Sequence, residues 1–350
     1  MDIYIYLCVL FALSAIIEPA LPIMGRRTLF VINGLILFVV VAGRTCGTDY
    51  WLYKSVIDTG NIENSEWPWL YQILTSYLPF QLVIALVALF TMLPFYLLIY
   101  KFAGKYVNFA AAFFFTEYFF MTLMQQARQG VALGFMVWAF FMYSSKKVKF
   151  ALSNIIGAFV HLTGYFGLLP LFLKTSFYRP KTYIITYLVS LVFGGLIFNY
   201  LFDNISALGI TILTSKFYGY MDRTEALDAS TNIFSFKIFL LLSLIIYCYV
   251  KRAVIKQKVI PFLCNIVFFG VCFCTLFSPI VDIAVRGSFC FIGIYFFIFS
   301  ILINENGLTL YHRRIIYFLS ILYCLYLMTQ NMNMIINQNI DLQLIPYTFM

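Results

Sequence analysis

Six ionisable residues stand out because each borders or interrupts an apolar stretch of the chain: Arg44, Asp49, Arg128, His161, Asp282 and Arg286. Charged groups are costly to place at a membrane, so each of the six is a candidate for a functional role. A guanidinium presents a planar fork of donors that suits phosphate, whereas imidazole and carboxylate groups can accept a proton. These residue types predict acid–base chemistry on a phosphate-bearing substrate at a membrane edge.

The composition indicates which elements must position these residues. Hydrophobic residues make up 63% of the 350 residues and charged residues 11%, whereas a soluble domain carries roughly a quarter charged residues. We therefore predict an all-α polytopic membrane protein, with residues 1–350 in a single transmembrane domain. The first apolar run, 3–17, has no basic segment before it and no small-residue cleavage site, which predicts a retained span.

About ten transmembrane helices are predicted from the apolar runs, near 3–20, 28–42, 82–100, 107–124, 130–144, 182–202, 233–250, 260–279, 288–303 and 315–331. Lysines and arginines fall in short clusters between these runs, as the positive-inside bias produces. If the clusters face the cytoplasm, most of the 23 basic side chains lie inside and the N-terminus lies outside. Because the charge is distributed in this way, it does not indicate a nucleic-acid partner.

The segment 150–174 does not fit a single crossing. Basic clusters precede it at 146–149 and follow it at 174–181, so one crossing would place the second cluster outside. We predict instead a re-entrant helical hairpin that enters from the cytoplasm and returns, with His161 and Gly164 at its turn. A broken helix is tolerated in a membrane only where protein or water satisfies its backbone. The alternatives are a single span with a misplaced charge cluster, or a further span elsewhere.

With this topology, the six ionisable residues and two polar loops, 43–80 and 203–232, all lie at the outer face. Asp282 and Arg286 are four residues apart, so on a helix they would share a face and could pair. The alternative interpretation of these two residues is a simple ion pair at a helix end.

The other candidates also have structural alternatives. Asp49 could cap the helix that follows it, which does not exclude catalysis. Arg44 and Arg128 could contact lipid headgroups, with their stems along apolar surface. His161 could be a hydrogen-bonded core residue, although its place at a predicted helix break favours a catalytic role.

Several classes of site are excluded by the sequence. It has no Gly-Lys-Ser/Thr phosphate loop, no Gly-x-Ser-x-Gly elbow and no metal-ligand spacing of histidines or carboxylates. Most of the eight cysteines lie in apolar runs, which is typical of buried free thiols and not of a disulfide framework. We therefore expect neither a metal nor an organic cofactor.

Three arginines without a metal favour a lipid-linked diphosphate, whose charge lies at the membrane edge and whose tail lies in lipid. Arg44, Arg128 and Arg286 could neutralise a departing pyrophosphate, as a metal does elsewhere. His161, or Asp49 if His161 is structural, would take a proton from the attacking hydroxyl. Nearby aromatic residues could stack on sugars or belong to the interfacial aromatic belt: Tyr50, Trp51, Tyr53, Trp67 and Trp69.

The segment 44-RTCGTDYWLYKSVI-57 resembles the Arg-x-x-Gly-Thr-Asp-Tyr-x-x-Tyr motif of the EpsG-type family. These are membrane proteins of bacterial exopolysaccharide and O-antigen assembly, related to the Wzy-type polymerases. Four further segments match in order: 66-EWPWLYQIL-74, 128-RQGVAL-133, 161-HLTGYFGLLP-170 and 286-RGSFCFIGIYFF-297. The chain departs from the family at Cys46, inside the first motif, and at Leu162-Thr163, where Ser-Ala is common.

The resemblance implies a GT-C-like helical bundle and a metal-independent polymerase of O-antigen or exopolysaccharide. Such an enzyme transfers a growing glycan from one undecaprenyl diphosphate to the non-reducing sugar of another lipid-linked repeat unit, at the outer face of the bacterial inner membrane. Carried over by position, the residues to test are Arg44, Asp49, Arg128, His161 and Arg286, with support from Glu66, Asp282, Gln129 and Tyr50.

The expected partners are the undecaprenyl-diphosphate-linked oligosaccharide, membrane lipid and a chain-length regulator protein, without nucleic acid. An O-antigen ligase would use similar chemistry and is one alternative. A lipid-linked sugar flippase is another, but it should line a path through both leaflets with polar residues. Here these residues concentrate at one face, which counts against the flippase.

Overall fold

A computed structural model describes residues 2–59, 76–142, 147–161, 163–204 and 235–337, and within these ranges the chain is helical, without strands. Helices satisfy their own backbone groups, as a hydrocarbon environment requires. Five described helices are long and apolar enough to cross a membrane: Asp2–Ala20, Ile23–Ala42, Phe80–Phe102, Ile283–Asn304 and Leu310–Asn337. The expected all-helical membrane protein is confirmed to this extent, and the ten-helix GT-C-like bundle stays a prediction.

The helices are numbered along the described chain. They are α1 (Asp2–Ile17), α2 (Ile23–Ala42), α3 (Thr48–Thr59), α4 (Phe80–Phe102), α5 (Val107–Phe114), α6 (Ala127–Met142), α7 (Lys147–Val160), α8 (Thr163–Phe166), α9 (Pro180–Asn204), α10 (Phe236–Val250), α11 (Ile260–Leu276), α12 (Val281–Ile292), α13 (Tyr295–Asn304) and α14 (Leu310–Asn337). A π-helix, Phe115–Leu123, continues α5, and 3₁₀ turns cover Glu18–Ala20 and Leu169–Phe172.

The chain divides into two compact units. The first comprises Met1–Tyr165 with Phe299–Met350, and the second comprises Phe166–Ile298. Of the predicted outer loops, 43–80 contains α3, and its residues 60–75 lie outside the described residues. Nearly all of 203–232 also lies outside them.

One end of the first unit, here called the Asp49 end, is where α1 begins and α2 ends. The Tyr4 hydroxyl lies 3.8 Å from Cys46 Sγ. The amide of Gln81, in the first turn of α4, donates to the carbonyls of Ala42 at 2.6 Å and Arg44 at 2.9 Å. These bonds supply partners for carbonyls at the end of α2, which a helix leaves without intrahelical donors.

The opposite end of the first unit, here called the Glu18 end, is where α1 ends and α2 and α5 begin. The Glu18 carboxylate accepts hydrogen bonds from the backbone N–H groups of Asn108 at 2.7 Å and Phe109 at 2.9 Å. Arg26 donates to the carbonyl of Lys105 at 3.1 Å. The helices between the two ends therefore alternate in direction.

Aromatic packing and close glycine contacts hold these helices together. Phe11 of α1 stacks on Phe115 of the π-helix with ring centroids 4.7 Å apart. At Gly34, a Cβ atom would lie 2.6 Å from the ring of Tyr96, so α2 and α4 approach closely only because glycine lacks that atom. Close approach between apolar helices of this kind is typical of membrane proteins.

The helix break predicted in 150–174 lies where expected. Helix α7 ends at Val160, and α8 begins at Thr163. A Cβ atom on Gly164 would lie 2.1 Å from the Ala158 nitrogen, so the chain turns back against the last turn of α7. The return of this segment through a membrane as a re-entrant hairpin stays a prediction.

The second unit contains α9 to α12. Asn265 of α11 accepts a hydrogen bond from the Tyr183 hydroxyl of α9 and donates to the Lys174 carbonyl at 2.8 Å. Helix α12 packs antiparallel to α11, because Gly270 meets Phe291 while Gly287 meets Phe273. The predicted pair Asp282 and Arg286 lies in α12.

Candidate functional site

Asp49 links two helices at the Asp49 end of the first unit. It lies in the first turn of α3, and its Oδ2 accepts hydrogen bonds from the Tyr53 hydroxyl at 2.8 Å and the Ala127 N–H at 3.0 Å. Ala127 is the first residue of α6, where an N–H has no intrahelical acceptor. Asp49 therefore caps α6, a helix 78 residues further along the chain, and its charge complements that helix dipole.

Arg128 follows Ala127 in α6 and is half-buried. Its Nε donates to the Tyr53 hydroxyl at 2.6 Å, and its guanidinium carbon lies 5.4 Å from the centre of the Tyr53 ring. Arginine can only donate, so the Tyr53 oxygen accepts from Arg128 while its proton goes to Asp49. The three side chains form one directional chain of hydrogen bonds.

Arg44 completes the charged group at this end. Its side chain lies between α2 and α3 and is only 1% exposed. A buried guanidinium needs polar or charged surroundings, and Asp49 is close enough for Arg44 to favour its ionised form electrostatically. Two arginines and the N-terminus of α6 thus surround Asp49, and these four described groups together carry a net positive charge that suits an anion.

Gly47 lets the loop before α3 lie on the end of the π-helix. Its φ is +99°, and a Cβ atom there would lie 2.2 Å from the Met124 carbonyl oxygen. The π-helical pattern continues to this point, since Met124 N–H donates to Phe119 O at 2.9 Å and Gln126 N–H to Met121 O at 3.0 Å. Such wide turns are frequent next to functional sites, and this one leads directly into α6.

The surroundings of Asp49 change its acidity. Burial raises the pKa of the Asp49 carboxyl above its ordinary value, while the Tyr53 hydrogen bond, the charges of Arg128 and Arg44 and the Ala127 N–H act in the opposite direction. A carboxyl whose pKa is raised exchanges its proton closer to neutral pH, which suits a general base or acid.

His161 lies at the level of Arg128, as the packing of α6 against α7 shows. Ser153 Oγ donates to the Phe135 carbonyl at 2.9 Å, and a Cβ on Gly157 would lie 3.3 Å from the Ala132 carbonyl. Because the two helices are antiparallel, one further turn of α7 brings residue 161 level with residue 128. The register places the two residues at the same level, and their position at the outer face stays a prediction.

The local hydrogen bonds of His161 decide which nitrogen carries its proton. Nδ1 accepts from the Thr163 backbone N–H at 3.2 Å and lies 2.6 Å from the Thr163 hydroxyl. Since a backbone N–H can only donate, a neutral His161 carries its proton on Nε2. In this form Nε2 is a hydrogen-bond donor.

The remaining predicted residues have different placements. Gln129 is buried beside Arg128 in α6, and Tyr50 packs against Phe80 with ring centroids 5.2 Å apart. Asp282 and Arg286 belong to α12 of the second unit. Glu66 lies outside the described residues.

Sequence reasoning missed the linking role of Tyr53, which it treated only as an aromatic surface. Its spacing of four residues from Asp49 could have indicated a shared helix face. The contribution of Gln81 carried no specific signal in the sequence. The described residues contain no group of three or more His, Cys, Asp or Glu side chains that could hold a metal ion.

Comparisons with known proteins bear on this site. The model of the EpsG family matches residues 27–349, a range that includes Arg44, Asp49, Arg128 and His161. Searches of curated proteins and of solved structures gave no match. Because the family match covers most of the chain, the protein belongs to the EpsG family, the family of Wzy-like exopolysaccharide polymerases.

Proposed function

We propose that this protein polymerises lipid-linked glycans. It transfers a growing chain from one undecaprenyl diphosphate to the non-reducing sugar of another lipid-linked repeat unit, at the outer face of the inner membrane. Membership of the EpsG family supports a polysaccharide polymerase. The observation that carries the proposal is the meeting of Arg44, Asp49 and Arg128 at one end of the first unit.

The orientation is supported by the charge at the opposite end. Arg26 donates to the Lys105 carbonyl, and the neighbouring Arg27 stacks on Tyr100 near the end of α4, with 5.2 Å between its guanidinium carbon and the ring centre. Basic residues at helix ends mark the cytoplasmic side. The Asp49 end, at the other end of the same helices, would then face outward, where a polymerase of exported glycan works.

The positive charge at the Asp49 end suits the diphosphate leaving group. Arg44, Arg128 and the N-terminus of α6 would stabilise negative charge as the bond between the sugar and the phosphate oxygen breaks. Arg286 stays the third predicted diphosphate ligand, on the strength of its residue type and of the family match across residues 27–349. No metal is needed in this scheme.

Asp49 is the better candidate for the base. Its raised pKa favours uptake of the acceptor hydroxyl's proton, and the hydrogen bonds from Tyr53 and Ala127 both end on Oδ2. The acceptor oxygen then bonds to the anomeric carbon while the diphosphate leaves with the bonding electron pair. His161, with its proton on Nε2, would donate a hydrogen bond to the leaving diphosphate.

Polymerisation by the purified full-length protein tests the proposal. With a defined undecaprenyl-diphosphate-linked repeat unit as substrate, the protein should produce a ladder of longer glycans. The rate should be the same with and without chelator. The Arg128→Lys variant keeps the charge and loses the fork, so its rate should fall about 10-fold or more. Arg27→Lys is the matched control, because Arg27 also stacks on a tyrosine at 5.2 Å but lies at the Glu18 end. Equal rates for the two variants would contradict the diphosphate role.

A further inference from the structure

We infer that Tyr53 is a positioning residue of this site: its hydroxyl holds the Arg128 guanidinium and the Asp49 carboxylate in a fixed relation, so that leaving-group binding and proton transfer occur at one place. The inference rests on the proposed function and assigns Tyr53 a role separate from stacking on sugars. It is carried by the two bonds to one oxygen, 2.6 Å from Arg128 Nε and 2.8 Å to Asp49 Oδ2.

The ring of Tyr53 is anchored independently of its hydroxyl. The side chain is 8% exposed and contacts Val83, which is fully buried, while Leu78, Phe80 and Val87 pack around this pair. The hydroxyl oxygen therefore has a defined position set by apolar contacts with α4 and the residues before it. A hydrogen-bonding group fixed in this way can orient two flexible side chains.

The link through Tyr53 uses one side of the Arg128 guanidinium. Tyr53 accepts from Nε and donates to Asp49, so a single hydroxyl stands between the two charged groups. Arginine can bind a phosphate end-on through its Nη1 and Nη2 donors as well as side-on through Nε and Nη2. The bond to Tyr53 is made on the Nε side and does not use the end-on pair.

The charged and titratable groups that face Asp49 are known from each packed element. Arg44 approaches from the loop after α2, Arg128 and the Ala127 N–H from α6, and Tyr53 from α3 itself. Burial raises the pKa of Asp49, and the Tyr53 hydrogen bond acts against this effect. Removal of the hydroxyl should therefore raise the pKa of Asp49 further and move the acidic limb of the pH–rate profile to higher pH.

The test compares Tyr53→Phe with Tyr96→Phe in the polymerisation assay. Tyr96→Phe is the matched control, since this tyrosine of α4 stacks on Phe30 and its buried hydroxyl has no hydrogen-bond partner among the described residues. Both variants keep the ring, so both should unfold thermally close to the wild type. Tyr53→Phe should lower turnover about 10- to 100-fold and shift the acidic limb upward, whereas Tyr96→Phe should do neither.

The double variant Tyr53→Phe with Arg128→Lys adds a readout that a merely structural role would not move. If Tyr53 acts by positioning Arg128, the double variant should be little slower than the slower single variant, because the two changes remove one shared function. Full multiplicative losses, or a Tyr53→Phe profile like that of Tyr96→Phe, would overturn the inference. Failure of the wild type to polymerise would instead overturn the proposed function.

Discussion

Two carboxylates lie at opposite ends of the first unit, and each caps a helix from a distant part of the chain. Glu18 is fully buried, and its two oxygens accept from the backbone of Asn108 and Phe109, with a further bond from the Asn108 side chain at 3.0 Å. Asp49 is half-buried, and its two described bonds both end on Oδ2.

The hydrogen-bond partners distinguish Glu18, a structural carboxylate, from Asp49, a candidate for function. The donors to Glu18 are neutral amides, and Asn33 donates to Asn108 at 3.2 Å. An arginine, Arg26, lies at this end too, but its guanidinium donates to backbone carbonyls, those of Leu21 at 2.7 Å and Lys105 at 3.1 Å. Around Asp49 the network continues through Tyr53 to an arginine that could bind substrate. Burial and helix capping are therefore not sufficient to identify a catalytic carboxylate. The groups to which the carboxylate is hydrogen-bonded distinguish a catalytic role from a structural one.

The sharpest test of this comparison is removal of the Asp49 charge. Asp49→Asn keeps the shape and an acceptor oxygen for Ala127 but cannot take up a proton, so turnover should fall at least about 100-fold while the protein remains folded. Glu18→Gln serves as the contrasting variant and should retain nearly normal turnover per folded molecule. Turnover of both, normalised to folded protein, is the measurement. Similar losses in the two variants would remove the distinction.

The loop that holds Asp49 should be more sensitive to change than the equivalent region near Glu18. Gly47→Ala forces a Cβ atom to within 2.2 Å of the Met124 oxygen at a φ of +99°, which should cost about 2–4 kcal/mol in free energy of unfolding. Gly25→Ala, in α2 near the Glu18 end, meets atoms no closer than 3.5 Å and should be neutral or slightly stabilising. Thermal unfolding in detergent measures both, and equal midpoints would show that Gly47 is not constrained.

Glu18→Gln should lower the free energy of unfolding, whereas Asp49→Asn should lower turnover. The glutamine amide would place an N–H donor against one of the two backbone N–H groups, leaving a buried donor without an acceptor at a cost of about 1–3 kcal/mol. Asp58→Asn is the control, because Asp58 is an exposed carboxylate paired with Lys54 at 3.0 Å. It should leave the unfolding midpoint nearly unchanged. A Glu18→Gln midpoint equal to that of the control would contradict the capping role.

The sequence indicated candidate residues but not the contacts between them. Charge placement and the family motif identified Arg44, Asp49 and Arg128, since ionisable groups in an apolar chain are conspicuous. The hydrogen bond from Ala127 to Asp49 joins residues 78 positions apart in the sequence. A periodic sequence pattern indicates which residues share a helix face, and it does not predict contacts between such distant positions. Glu18 also borders an apolar run, but its role depends on where α5 begins in space and is therefore not visible in the sequence.

The smallest expected effect is a pH dependence of stability that comes from Asp49. The folded-state pKa of Asp49 is raised by burial above the unfolded value of about 3.9, so the native state holds its proton more tightly. Stability from this group is full below the unfolded pKa and is lost as pH rises through the folded pKa. Asp49→Asn should thus gain thermal stability relative to the wild type as pH rises through this interval. Gly25→Ala, which removes no ionisable group, should keep a constant offset. An Asp49→Asn offset that did not change with pH would show that the carboxylate ionises as easily in the folded protein as in the unfolded chain.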